Sequence, residues 1–517
     1  MMMKTRRQTA DKDMRRTNIG LVLRPLGIPL IGEGIAMLAC MVPALHFGDG
    51  THWRILISSL LTLFAGTLLL TLLNRSHSSN ISDRRLSYLT VTLVWIVLTL
   101  FGMLPFLLTG LRFDDAAGHF QMADIRFAIP FSDALFESMS GLTSTGATVF
   151  ADVEKLPSSL LLWRSMTEWL GGFGIILLVL AVVPSLGLNK YSLYTAEASS
   201  ADNTGKTSTS MRTMVQQTLV IYVSLTVVFV VLLLLSGMTL WESVNLTFTN
   251  ISTGGFSVYG DSIARFTPTQ QYILAASMFV GGVNFALLYN FFTFRWSKIG
   301  HKLDQFGFYL IMTVVAVVFV VMSLHYNNAM PFDEALRCGI VQTVSAVTTT
   351  GSVVADTNLW WTPVVLLFLV LNLCGGMAGS TTGGVKVMRV LILVRSVRLT
   401  LTNRLHPHAY NPVRLNGRPV SDEIITNVMV IFITFVVTML MGFLLLMLCG
   451  VDATEALGAV FGCFTSYGPG LGACGGFGSY AAFPAVAKCL CAILMLLGRL
   501  ECLTVLILFL PGFWRNR

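Results

Sequence analysis

Long apolar runs constrain this chain more than any other feature. Ten stretches have the length and character of bilayer-crossing helices: 22–46, 53–73, 87–110, 158–187, 214–237, 270–293, 307–325, 360–394, 424–449 and 482–512. About 20 apolar residues suffice for one crossing. Segment 360–394 is interrupted near Cys374. Charged residues are 12% of the 517, about half the share of a soluble domain, which excludes a string of soluble domains. The net charge of +8 sits mostly between the apolar runs, so it reads as an orientation signal and not as a nucleic-acid surface. Basic clusters at 1–24, 74–85, 190–212, 295–302, 386–418 and 513–517 alternate with acidic or mixed connections at 47–54, 111–130, 151–157 and 259–268. The positive-inside rule then places both termini in the cytoplasm. The basic start has no cleavage pattern after it, so the first run is expected to remain as a helix. The nine cysteines form no C-x-x-C pair and lie mostly in apolar runs, as small buried side chains.

Between the long runs lie four half-apolar stretches, Phe131–Thr148, Trp241–Phe256, Phe332–Ser352 and Asp452–Gly472. Each fits a short re-entrant helix followed by an extended loop, which survives at membrane depth only against water or protein. They align as an internal repeat on Gly146, Gly254, Gly351 and Gly468, spaced by about 100 residues, the length of helix, loop and helix. Thr145, Thr253 and Thr350 precede three of these glycines and Tyr467 precedes the fourth; one place earlier stand Ser144, Ser252, Thr349 and Ser466. Four such loops around one axis can return a shell of carbonyl oxygens to a dehydrated cation. Glycine permits the backbone angles and leaves the path open, and each short helix aims its negative end at the centre. These twelve residues are the candidate ion-binding filter.

With these motifs in place, the chain resembles the TrkH type of subunit in the Trk/Ktr/HKT potassium transporter superfamily. The resemblance rests on the four filter segments, Trp163-Arg164, the run WLGGFG at 169–174, the run GGMAGSTTGGVK at 375–386, GPGLG at 468–472 and LGRLE at 497–501. It implies an all-α polytopic membrane protein of four helix–pore loop–helix repeats around a pseudo-fourfold pore, with two extra N-terminal helices. The expected division is 1–75 for that pair, then repeats at 76–188, 189–303, 304–398 (with a gating loop) and 399–517. The resemblance further implies potassium uptake across the bacterial inner membrane, a homodimer with one pore per subunit, and a cytosolic TrkA-type nucleotide-binding partner. Potassium is the transported ligand, any nucleotide belongs to that partner, and symport and channel-like conduction are both compatible with these residues. In plant relatives a serine at the first filter position goes with sodium transport, so glycine there favours potassium. The chain departs from the family pattern at Ser352 and Tyr467.

Gly375, Gly376, Gly379, Gly383 and Gly384, with Ser380, Thr381 and Thr382, would break a spanning helix; Lys386 ends the run. By resemblance this stretch is a loop that obstructs the ion path. Arg499 lies within the last apolar run, where a charge is costly and usually functional; by resemblance it faces the pore beneath the filter, and an ion pair with Glu501 or a bond to a carbonyl is its structural alternative. Arg164 and Glu168 stand four apart, as an expected helical pair. Glu33 has no assigned partner. His406 and His408 fall in a basic loop and read as solvated. A small-solute or sodium-coupled secondary transporter would carry two inverted repeats, not four loops entering from one side. An enzyme would need a paired acid–base or metal set within the spans, and the sequence carries no H-E-x-x-H, G-x-S-x-G or Walker pattern.

Overall fold

The computed structural model describes residues 22–72, 84–109, 111–114, 119–122, 129–185, 211–294, 303–406 and 412–514. Most of the basic clusters at 1–24, 74–85, 190–212 and 295–302, with His408, Asp115 and Asp124, fall outside those residues. The N-terminal pair is α1 (Gly27–Ala39) and α2 (His52–Leu72). Small residues let them approach closely: a Cβ on Gly34 would meet Leu63 Cγ at 2.7 Å, and one on Gly66 would meet Ile31 Cγ1 at 2.9 Å. Ser59 Oγ donates to the Gly34 carbonyl across the pair, at 2.7 Å.

Four units follow, each a long helix, a short helix with its loop, and a second helix. The first is α3 (Arg84–Gly102), α4 (Phe131–Leu142) and α5 (Ser158–Ser185). The second is α6 (Met211–Leu235), α7 (Leu240–Ile251), and then α8 (Pro268–Gly281) with α9 (Phe285–Phe292). The third is α10 (Leu303–Tyr326), α11 (Phe332–Val347), α12 (Thr362–Cys374) and α13 (Val387–Leu405). The fourth is α14 (Asp422–Leu448), α15 (Ala453–Phe464), α16 (Ala485–Arg499) and α17 (Leu503–Leu506). Two small antiparallel hairpins lie in the connections, Leu111–Asp114 with His119–Met122 and Arg414–Leu415 with Arg418–Pro419.

Six helical stretches among the described residues are long and apolar enough to cross a membrane alone. Two of the expected spans are instead broken. Stretch 270–293 bends by 107° between α8 and α9, and 482–512 bends by 107° after Arg499. The first break has a local cause: Gly281 and Gly282 end α8, and the Asn284 side chain accepts from Leu287 N–H at 3.0 Å to start α9. At the second, Glu501 and Cys502 take φ of 58° and 47°, angles that no helix continues through. The third break, expected near Cys374, spans 375–386 between α12 and α13.

The second helices seat themselves on the ends of the short ones through glycine. A Cβ on Gly171 would stand 1.8 Å from the Leu142 carbonyl, one on Gly281 2.8 Å from that of Ile251, and one on Gly498 1.9 Å from that of Phe464. Glu33 of α1 is buried against the same unit, its Oε1 2.7 Å from where a Gly102 Cβ would be. Neither of its oxygens has a hydrogen-bond partner among the described residues.

Gly171→Ala is expected to lower the unfolding temperature of the detergent-solubilised protein sharply, because the neighbour is a backbone carbonyl that cannot rotate away. Gly174→Ala has nothing among the described residues within 4 Å of the new methyl and is expected to change stability by no more than about 0.5 kcal/mol. Equal melting of the two variants would remove this contact from the helix packing.

Candidate functional site

The four short helices begin and end alike. All four carry acids in the first turn, Asp133, Glu242, Asp333 with Glu334, and Glu455, and Glu242 also closes a reciprocal capping box with Thr239; both devices stabilise an N-terminus. Each ends on a hydroxyl residue that turns back on its own helix. Thr143, Ser252, Thr348 and Thr465 donate to the carbonyls four residues earlier at 2.6–2.7 Å. The next residues, Ser144, Thr253, Thr349 and Ser466, take φ of 50°, 53°, 52° and 57°, a left-handed bend that costs about 1–2 kcal/mol each. After one more residue comes a glycine at positive φ: Gly146, Gly255, Gly351 and Gly468.

This order corrects the second loop by one residue. Gly254 is not the partner of Gly146; it stands level with Thr145, Thr350 and Tyr467, and its N–H donates to the carbonyl five residues back as theirs do, at 2.8–2.9 Å. Thr253 accordingly matches Ser144, and Ser252 matches Thr143. The reason is a second demand on the Gly-Gly pair. A Cβ at Gly254 would fall 2.3 Å from the Glu168 carboxyl carbon, so the first glycine makes room for Glu168 and the second carries the positive φ.

The glycines close a ring. A Cβ on Gly146 would stand 2.1 Å from the Gly254 carbonyl oxygen, on Gly255 1.9 Å from that of Thr350, on Gly351 1.9 Å from that of Tyr467, and on Gly468 2.4 Å from that of Thr145. Each loop thus leans on the next and the fourth returns to the first. A cavity of about 60 Å³ lies on this ring, bounded by the same four glycines, with Tyr259 and Arg164 in its wall; it has room for a small ion and a few waters. Burial and then the hydrogen bond to Glu242 push the Tyr259 hydroxyl up to about 12, so it stays a donor, to Glu242 Oε1 at 2.6 Å.

Buried charges hold the ring from outside it. The expected Arg164–Glu168 pair is absent. Arg164 Nε instead donates to Glu137 Oε1 of α4 at 2.7 Å, both side chains at most 2% exposed. Glu137 also accepts from Val149 N–H at 3.1 Å, and Arg164 lies 4.0 Å over the Phe256 ring. Glu168 accepts from Phe256 N–H at 3.2 Å. In the third loop neutral Gln342 plays the part of Glu137, accepting from Val354 N–H at 3.2 Å. The two departures from the family pattern are accommodated by partners: Ser352 Oγ donates to Asn250 at 2.9 Å, and the Tyr467 hydroxyl accepts from Gln342 at 3.3 Å.

The glycine-rich break lies directly beneath the ring. Gly375, Gly379 and Gly384 take φ of 65°, 77° and 72° and Lys386 one of 79°. The loop is pinned to the α8–α9 corner, where Phe285 N–H donates to the Gly379 carbonyl at 3.1 Å. Within it, Thr382 Oγ1 accepts from Gly376 N–H at 3.2 Å and meets Ser380 Oγ at 2.8 Å, while Lys386 Nζ donates to Thr382. It reaches three of the four loops: Thr381 Oγ1 meets Thr253 Oγ1 at 3.1 Å, Gly383 N–H donates to Thr349 Oγ1 at 2.7 Å, and a Cβ on Gly383 would stand 1.9 Å from the Thr465 carbonyl. Arg499 covers the remaining loop. It is 4% exposed and donates to the carbonyls of Thr381 and Gly171, at 2.8 and 3.3 Å, and to Ser144 Oγ at 3.4 Å. Of its two expected structural partners the carbonyl is thus engaged, while Glu501 is taken by Arg389 at 2.5 Å.

Sequence reasoning missed Gly255, Glu137 and the role of Glu168. The doubled glycine was a visible signal for the first. Nothing local marked the acids, because Arg164 lies 27 residues from Glu137 and Phe256 lies 88 from Glu168.

The sequence profile of the TrkH family, described as "Cation transport protein", matches residues 53–515. The Trk system potassium uptake protein TrkH of Halomonas elongata is 30% identical over 96% of this chain and 100% of its own length. The protein of the same description from Vibrio parahaemolyticus is 32% identical over 96% of this chain and 99% of its own. The crystal structure of the potassium transporter TrkH from Vibrio parahaemolyticus superposes with a TM-score of 0.83, at 29% identity, over 96% of this chain and all of that one.

Arg164→Leu leaves Glu137 buried without its cation and is expected to cost about 3–5 kcal/mol. Arg164→Leu combined with Glu137→Gln is expected to regain much of that, since no unpaired charge remains. Denaturant unfolding in detergent measures both; a double variant no more stable than the single one would mean that the pair's charge is not what matters.

Proposed function

The chain belongs to the TrkH family of cation transport proteins, and we propose that it takes up potassium across the bacterial inner membrane through the ring of four loops. The observation that carries this reading is the cyclic order in which each loop's glycine stands against the carbonyl of the next. An ion entering from the cavity sheds water and receives oxygens whose number and field select it. The short helices contribute by ending at the ring, where their negative ends favour a cation. The filter is formed by Ser144, Thr145 and Gly146, by Thr253 and Gly254 with Gly255, by Thr349, Thr350 and Gly351, and by Ser466, Tyr467 and Gly468, with Ser252 behind as a helix cap. The loop 375–386 and Arg499 close the path below it: their hydrogen bonds reach three loops and the close approach of Gly383 reaches the fourth, and a fixed positive charge repels a cation most where water is sparse.

In this reading the termini are cytoplasmic and the repeats run 76–188, 189–303, 304–398 and 399–517 after the pair at 1–75. The chain works as a homodimer. A cytosolic TrkA-type nucleotide-binding subunit docks on basic segments such as 386–418 and moves the loop through contacts that differ between closed and open states. The shared "Trk system" description of the relatives supports a system of several components.

Expression in a strain lacking potassium uptake is expected to restore rubidium-86 accumulation, and absence of any uptake from correctly inserted protein would defeat the proposal. Gly146→Ser is expected to reduce the preference for potassium over sodium several-fold. Gly260→Ser, in the cavity wall but outside the filter segments and with no described residue within 4 Å of its Cβ position, is expected to leave it intact; equal preference in the two would sink the filter assignment.

Arg499→Ala, and separately deletion of Gly379–Gly383, are expected to raise flux in vesicles that lack the regulatory partner. Unchanged flux at matched protein levels would place the barrier elsewhere.

A further inference from the structure

The carbonyls of the four ring glycines are not equivalent. Tyr480 lies in the connection after the fourth loop, outside every filter segment. Its side chain is buried, with its ring 5.2 Å from those of Phe136 and Phe483. Its hydroxyl donates to the Gly468 carbonyl at 2.8 Å, and its backbone N–H donates to the Thr148 carbonyl at 2.9 Å. One residue therefore fastens the fourth loop to the first, at the joint where the ring closes. Among the described residues no hydrogen bond reaches the carbonyls of Gly146, Gly255 or Gly351.

We propose that Tyr480 is a positioning residue for ion selection: it engages the Gly468 carbonyl, so that the ring presents three free glycine oxygens and one that is already a hydrogen-bond acceptor. This rests on the filter reading above. Selection depends on the number and field strength of the carbonyl dipoles around the ion. A carbonyl accepting from a phenol offers an ion a weaker field and is held at a fixed distance. The fourfold filter thereby acquires one distinct side, set by a residue that touches no ion.

Two substitutions break the bond from opposite ends. Tyr480→Phe removes only the hydroxyl and keeps the ring packing. Gly462→Ala places a methyl 2.6 Å from the Gly468 oxygen and 2.9 Å from the Tyr480 hydroxyl, and so forces them apart. Rubidium-86 uptake into proteoliposomes, in competition with sodium or potassium, reads ion preference. The difference in unfolding temperature between potassium and sodium solutions reads it without transport. Both variants are expected to shift the potassium-over-sodium preference by about two- to tenfold, the factor that one hydrogen bond carries. If one variant does not insert, the other decides. Unchanged preference, slower uptake with an unchanged ion-dependent melting difference, or failure of both variants to fold would assign the bond to stability alone and overturn the proposal. A parent protein with no ion preference would instead overturn the filter reading.

Discussion

The structure depends on four close approaches between a glycine and the carbonyl of the neighbouring loop. At 1.9–2.4 Å from the Cβ position, none leaves space for a side chain. The approaches run in one cyclic direction, so no loop can relax outward without losing its contact with the next. Such a ring holds oxygens at fixed spacing only if its supports are stiff. The stiffness comes from the second helices, whose Gly171, Gly281 and Gly498 lie against the last carbonyls of the short helices. Backbone packed on backbone has no rotamers to give.

Polar groups supply the rest, at a depth where water cannot. Glu137 and Glu168 act on the loops through backbone N–H groups, at Val149 and Phe256. Arg164 neutralises Glu137 and covers Phe256. An unpaired charge in such a place costs several kcal/mol, which is why the pairing is closely specified. The third loop uses neutral Gln342 in the corresponding position and so needs no counter-charge. The repeats are thus alike in backbone and different in the chemistry that braces them.

Beneath the ring, the three broken helices converge. The corner at 282–284, the loop 375–386 and Arg499 at the end of α16 bond to one another or to the loops above. A shift of the 375–386 loop would therefore break contacts with Thr253, Thr349 and Arg499 together. That coupling favours two discrete positions over a continuous range, since packed polar networks exchange partners and do not stretch.

Much of this was legible in the residues. Apolar run length sets the spans because a bilayer requires it, and four glycine-centred stretches mark re-entrant loops because unpaired backbone at that depth needs a shared lining. The break at 375–386 was visible because five glycines oppose a helix. What the sequence could not supply was any relation between distant segments. Gly254 and Gly255 are equivalent in composition, and only the approach of Glu168 from another helix decides which one carries the positive φ. Arg164 had an acid four residues away and a better one on α4, and burial geometry chose the second. Stretches 270–293 and 482–512 read as single spans, because the carbonyls that accept hydrogen bonds at their 107° bends, Gly379 from Phe285 N–H and Thr381 from Arg499, belong to the loop of another repeat. Local pattern determines which elements form and how deep they lie; which backbone carbonyl stands beside which glycine is settled only when four repeats close on one axis.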